Sequence, residues 1–177
     1  AFNLVRTDVY RAVGGHEKIR MRPDDDLKLG KIIKLAGWRQ ELVDGGGLIA
    51  VDWYHSLGEL IHGLEKNSFS AVEYSAPFVV FDTTAIMLLN VWPFIAVFVV
   101  WGPVRWIYVA VCLGLWFMTW LMAVGMRAPA SCALAFPLAA LLMVYIQWRT
   151  MLLNYWHGGI RWRDTHYSLA ELRANKV

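Results

Sequence analysis

Three consecutive carboxylates, Asp24-Asp25-Asp26, head a helix-forming run and are the strongest chemical candidates in the chain. At a helix N-terminus the exposed N–H groups and the macrodipole stabilise an ionised carboxylate, so one of these could serve as a general base toward a hydroxyl. Acidic residues are also commonplace in a first helical turn, and residue type and spacing alone favour that simpler capping role. Gly14-Gly15 either lets the backbone approach a ligand closely or ends a short helix and turns the chain, and spacing alone favours the turn. Near the other end, Trp162 between Arg161 and Arg163 suits stacking on a sugar or gripping a phosphate, and equally suits an anchor at a membrane interface. His16, His55, His62, His157 and His166 have no zinc-type spacing, and no metal is assigned to them.

The elements that must position these residues follow from local pattern. Residues 2–6 form a short apolar run fit for a strand, Thr7-Asp8 supplies a helix N-cap, and Gly14-Gly15 ends that helix. Behind the carboxylates, Leu29, Ile32, Ile33 and Ala36 fall at i, i+3, i+4 and i+7 on one helix face, and Gly37 is the natural stop. Residues 38–43 and 48–53 read as two strands around Asp44-Gly45-Gly46-Gly47. Leu57, Leu60, Ile61 and Leu64 repeat the helical spacing, which predicts an amphipathic helix over 56–69 lying on a membrane surface. The tail, 156–177, starts with the Gly158-Gly159 break, alternates Ile160 and Trp162 with charged neighbours, and ends in a helix-forming stretch over 168–174.

Hydrophobic residues make up 58% of the 177-residue chain against 18% charged, which excludes disorder. The charges cluster at the two ends, leaving 78–155 nearly free of them, and three runs, about 78–101, 104–126 and 131–153, each reach the ~20 residues that cross a bilayer core. Pro93 should kink the first. Three crossings would place the tail opposite the N-terminal segment although both are basic, and a re-entrant or interfacial first segment, the one holding Pro93, would resolve the conflict. Cys112 and Cys132 lie in or beside apolar spans, where neither a disulfide nor a metal site is expected. The formal net charge of +3 is too small to argue for nucleic acid; anionic lipid headgroups suit it better. A P-loop, a dinucleotide fingerprint, a nucleophile elbow and a metalloprotease pattern are all absent from the sequence. The chain opens at Ala1 and reads as the middle of a domain, so a fragment is expected, inactive by itself.

Taken in order, several pieces resemble the C-terminal half of a membrane-bound family 2 glycosyltransferase. They are Phe2-Asn3-Leu4-Val5-Arg6, Val13-Gly14-Gly15-His16-Glu17, and Asp25-Asp26-Leu27-Lys28-Leu29 with Gly37 beyond. Next come Tyr54, Ser56, Glu59, Gly63, Lys66 and Asn67, then the apolar spans, then Gly158-Gly159-Ile160-Arg161-Trp162-Arg163 with Tyr167. The tail pattern is similar to that of enzymes glucosylating hydroxylated carotenoids, polyisoprenoids or sphingoid lipids.

The resemblance implies an α/β remnant of a nucleotide-sugar glycosyltransferase (GT-A type) domain followed by a transmembrane α-helical bundle. The catalytic part would occupy 1–56, an interfacial helix and linker 57–77, about three transmembrane helices 78–155, and a polar tail 156–177. It implies an inverting enzyme moving a single sugar from a nucleotide-sugar donor to a hydroxylated membrane lipid, with Asp26 as general base and Asp25 where the family usually has Glu. Gly14 and Gly15 would line the cleft, and Arg161, Trp162 and Arg163 would contact sugar or phosphate. A divalent metal, Mg or Mn, would be held by an Asp-x-Asp of the upstream half, outside this chain. The enzyme would sit in a bacterial inner membrane with its catalytic part cytoplasmic. Two departures stand out. Processive synthases carry Gln-x-x-Arg-Trp where this chain has Glu59 to Gly63, which points to single transfer, and Asp164 replaces the usual Gly after Trp-Arg. The alternative from another class is a non-catalytic membrane scaffold or transporter subunit.

Overall fold

The computed structural model describes residues 3–19, 25–43, 53–162 and 165–174. They are mostly helical: α1 (Thr7–Ala12), α2 (Asp25–Leu35), α3 (Leu57–Ala71), α4 (Ala76–Ile86), α5 (Trp92–Val99), α6 (Val104–Gly125), α7 (Phe136–Trp156) and α8 (Leu169–Ala174). One hairpin, β1 (Gly159–Trp162) with β2 (Thr165–Ser168), is the sheet among the described residues. The chain forms two compact units, Ala1–Ser75 with Thr150–Val177, and Ala76–Arg149.

In the first unit, α1, the 3₁₀ turn Gly15–Ile19 and α2 enclose a small core of Val9, Val13, Ile19, Leu29, Ile32 and Ile33, against which Val5 and Tyr10 pack. The apolar stripe of α2 is buried as its spacing predicts, apart from Ala36, which is exposed beyond the helix end. Gly37 (φ 83°) closes α2 in a Schellman motif, its N–H on Lys34 O and that of Trp38 on Ile33 O. Both α3 and α8 begin with a Ser-x-x-Glu pair, reciprocal at α8 and shifted by one residue at α3. Ser56 Oγ accepts from Glu59 N–H at 3.1 Å while Glu59 accepts from His55 N–H at 2.9 Å. Ser168 Oγ accepts from Glu171 N–H at 3.2 Å while the Glu171 carboxylate accepts from Ser168 N–H at 2.9 Å. Each is a Ser-x-x-Glu arrangement that satisfies first-turn donors.

The expected α/β remnant is not what these residues form. Residues 3–6 and 38–43 are irregular, and 48–52 lie outside the described residues. A strand exists only where a neighbour pairs its N–H and C=O groups, and no such neighbour flanks 3–6 or 38–43 among the described residues. Leu42 and Val43 are instead exposed, and the Gln40 side chain donates to the Gly30 carbonyl of α2. The N-cap of α1 is Arg6 rather than Thr7 or Asp8. No side chain caps it, because Asp8 pairs with the Arg6 guanidinium at 2.6 Å instead. The expected tail alternation is seen as the hairpin, with Ile160 opposite Tyr167 and Arg161 opposite His166.

The same unit joins the two ends of the chain. Phe69 of α3 lies against Tyr74 and Tyr155, with ring centroids 5.5 and 6.0 Å away. Arg173 of α8 donates to the Tyr74 carbonyl from Nε (3.1 Å) and Nη2 (2.9 Å), and Nη2 also reaches the Tyr155 hydroxyl at 2.9 Å. Lys28 of α2 pairs with Glu73 at 2.7 Å.

Three stretches are long and apolar enough to cross a membrane: Ala76–Val99 (24 residues), Val104–Gly125 (22) and Ala130–Trp156 (27), the last with its residues from Thr150 on belonging to the first unit. At ~1.5 Å per helical residue each is matched to a ~30 Å hydrocarbon core. The chain is a membrane protein by this measure. A π-helical turn, Met87–Val91, interrupts the first stretch just before Pro93. Proline lacks an N–H and its ring crowds the carbonyl four residues back, so the ladder must widen there. Pro137 sits in the first turn of α7, where a missing N–H costs nothing.

Candidate functional site

Asp25 and Asp26 begin α2 and are exposed. Asp26 Oδ1 accepts from the Leu27 N–H at 2.8 Å, the first-turn contact that residue type predicts. A carboxylate offers two oxygens and about four lone-pair sites, so this contact leaves the same group able to accept a proton or hydrogen bond. Both aspartates line a cleft of about 370 Å³ together with Asn3, Val5, Tyr10, His16 and Leu29. Asp24 lies outside the described residues.

The same cleft is lined by a Tyr–His pair. Tyr10 Oη and His16 Nδ1 are 2.7 Å apart, the His16 backbone N–H donates to the same oxygen at 3.2 Å, and the rings tilt together at a centroid distance of 5.5 Å. Gly14 (φ 81°) and Gly15 (φ 54°) make this possible. Two successive left-handed residues fold the chain back over the end of α1, a conformation that costs a residue with a side chain ~1–2 kcal/mol. A Cβ on Gly15 would also fall 2.7 Å from Tyr10 Cζ, closer than packed atoms approach. The pair of glycines therefore turns the backbone behind the cleft and presents His16 to Tyr10; neither glycine is among the residues lining the cleft.

Arg161 and Trp162 belong to β1, opposite His166 and Thr165 in its register with β2; Arg163 lies outside the described residues. Among the described residues no three His, Cys, Asp or Glu side chains converge to hold a metal. Tyr10 and Asn3 escaped sequence reasoning as cleft residues. The signal for Tyr10 was the Gly-Gly pair between it and His16, which only becomes a contact once both glycines take positive φ.

Outside the cleft, the Arg6 guanidinium holds the Asp8 carboxyl below the usual carboxylate range, chiefly by hydrogen bonding. The Ser168 backbone N–H and then its hydroxyl do the same for Glu171. No family model, no curated protein and no solved structure matches this chain.

Proposed function

We propose that the chain is part of an inverting glycosyltransferase that moves one sugar from a nucleotide-sugar donor to a hydroxylated membrane lipid, with Asp26 as general base. The observation that carries the reading is that Asp25 and Asp26 share one cleft with a hydrogen-bonded Tyr10–His16 pair, in a chain with three apolar helices. The resemblance of the ordered motifs supplies the reaction class. In the reaction the acceptor O–H gives its proton to the Asp26 carboxylate as the oxygen bonds to the anomeric carbon. The bond from that carbon to the donor's diphosphate breaks, its electron pair leaving with the phosphate oxygen. Asp25 contributes a second negative charge that favours a developing oxocarbenium-like centre.

Asp26→Asn in the full-length gene product, assayed in membranes with radiolabelled nucleotide sugar, should lower transfer ~10²- to 10⁴-fold, the usual worth of a positioned general base. Donor binding should persist. Transfer equal to that of the unaltered protein overturns the assignment, and absence of transfer by both proteins across lipid acceptors favours a scaffold or transporter subunit.

A further inference from the structure

We infer that the apolar unit makes two net membrane crossings, α4–α5 and α7, while α6 and the 3₁₀ helix Ala130–Ala135 form a hairpin that enters from the far face and returns to it. The segments before α4 and after α7 then face the same compartment. The inference does not depend on the glycosyltransferase reading.

Two separate sets of contacts lead there. Within the apolar unit, Gln147 Nε2 donates to Asp82 Oδ2 at 2.7 Å and Trp148 Nε1 to Thr83 Oγ1 at 3.2 Å. Farther along, the Phe94 and Phe136 rings are 6.4 Å apart. The stretch 82–94 therefore faces 136–148 end for end, and α7 runs antiparallel to α4–α5. Within the other unit, Tyr74, just before α4, receives Arg173, which follows α7, and Phe69 meets Tyr155. A chain whose flanks pack together in water cannot have them on opposite sides of a bilayer. Three full crossings would require that.

The odd helix is α6. It starts at the far end of α5, and its midpoint residue Trp116 sits against Phe94, ring centroids 5.3 Å apart. Phe136, the first residue of α7, sits against that same Phe94 ring. Everything between Trp116 and Phe136 must then leave and come back. The reversal is a Schellman motif at the end of α6, with the Ala128 N–H on Ala123 O (2.8 Å), the Arg127 N–H on Val124 O (3.0 Å), and Arg127 at φ 57°. The 3₁₀ helix then packs back along α6. Its six residues rise about 12 Å at ~2 Å each, and residues 126–129 add at most about 13 Å even if fully extended. That total falls short of the ~30 Å core, and the tight turn consumes part of it. Because α4–α5 and α7 run antiparallel and their outer flanks pack together, the segment between them makes no net crossing, and α6, 22 residues long, must lie obliquely rather than along the membrane normal.

The test starts from the full chain with Cys112→Ala and Cys132→Ala, adding single cysteines Lys34→Cys, Trp101→Cys, Ala128→Cys or Ala174→Cys, all at exposed positions. Sealed membrane vesicles are treated with an impermeant maleimide before and after permeabilisation. Lys34→Cys and Ala174→Cys should label from one side, Trp101→Cys from the other, and Ala128→Cys should lose labelling from the Lys34 side. Labelling of Lys34→Cys and Ala174→Cys from opposite sides overturns the inference, as does Ala128→Cys labelling from the Lys34 side as fully as Lys34→Cys. A reporter active on only one membrane face, fused in turn to each end of the unaltered sequence, reads the sidedness without relying on the cysteine variants. Opposite readings at the two ends overturn the inference as well.

Discussion

The two units differ in where they put their large hydrophobic side chains, although each buries both aliphatic and polar residues. Around the cleft, the interior is aliphatic, with Val9, Val13, Ile19, Leu29, Ile32 and Ile33 inside and the carboxylates outside. In the apolar unit most large hydrophobics point outward, Phe98 77% and Met126 78% exposed, while Val79, Val91 and Ile146 share the interior with small or polar residues such as Ala96, Ala123, Thr83 and Gln147. Burying aliphatic area stabilises a fold only where the alternative is water. In lipid that drive vanishes, and close packing of small residues and interhelical hydrogen bonds take its place. The outward placement of most large hydrophobics in the apolar unit is what a chain should show if one unit folds in water and the other in a bilayer.

The largest test of the comparison is a matched pair of truncations. Leu29→Ala, at a side chain only 4% exposed, should cost ~2–5 kcal/mol of unfolding free energy. Phe98→Ala, removing a larger ring from the outer surface of the apolar unit, should cost far less. Denaturant titration in lipid nanodiscs measures both, and equal losses would break the distinction.

The next test concerns the polar interior. Gln147→Leu strips the Asp82 carboxylate of a 2.7 Å donor inside an apolar surround, which should cost ~1–3 kcal/mol. Replacing both partners with leucine should recover most of that loss, because the penalty lies in the orphaned group rather than in the bond. A double-mutant cycle reads the difference, and additive losses would mean that the two residues do not act as a pair. Smaller still is Gly15→Ala, about 1–2 kcal/mol from positive φ alone, with Tyr10 displaced by the new methyl. Its diagnostic is a change in the His16 imidazole NMR signals, which a merely local loss of stability would leave in place.

Legibility in the sequence divides along the same line. The α2 core face could be read from the spacing of Leu29, Ile32 and Ile33, and the apolar stretches from length and composition, because each depends on residues near one another in the chain. The strands expected at 2–6 and 38–43 could not be settled that way, since a strand is defined by a partner and none adjoins the described parts of either. The spacing placed the aspartates at the head of α2, yet not beside Tyr10 and His16, because that meeting depends on two glycine dihedrals. Pro93 was the local reason to doubt the first apolar stretch. The contacts instead leave that stretch continuous through a π-helical turn and single out α6, whose sequence is the plainest of the three. Crossing number is set by which helix ends meet, as in Asp82–Gln147 and Phe94–Phe136, and no local pattern encodes that.

The smallest expected effect lies in the tail. Glu171 is exposed, and its carboxylate accepts from the Ser168 N–H at 2.9 Å and from the Ser168 hydroxyl at 2.8 Å. These bonds favour the ionised form, so its folded-state pKa is depressed. A depressed carboxyl contributes stability that is present above its unfolded-state pKa and disappears as pH falls through the folded value. Helix α8 should therefore loosen once pH drops below about 4, the ordinary glutamate range. Because α8 carries Arg173 to the Tyr74 carbonyl, loosening should reach the turn before α4 as well. Amide exchange of 169–174 and of 73–75 should rise together on acidification, and Glu171→Gln should flatten the pH dependence of both. Exchange rising in α8 alone would mean that the Arg173 contact does not couple the tail to that turn. No change in either would mean that the Ser168–Glu171 box contributes nothing measurable to the water-facing unit.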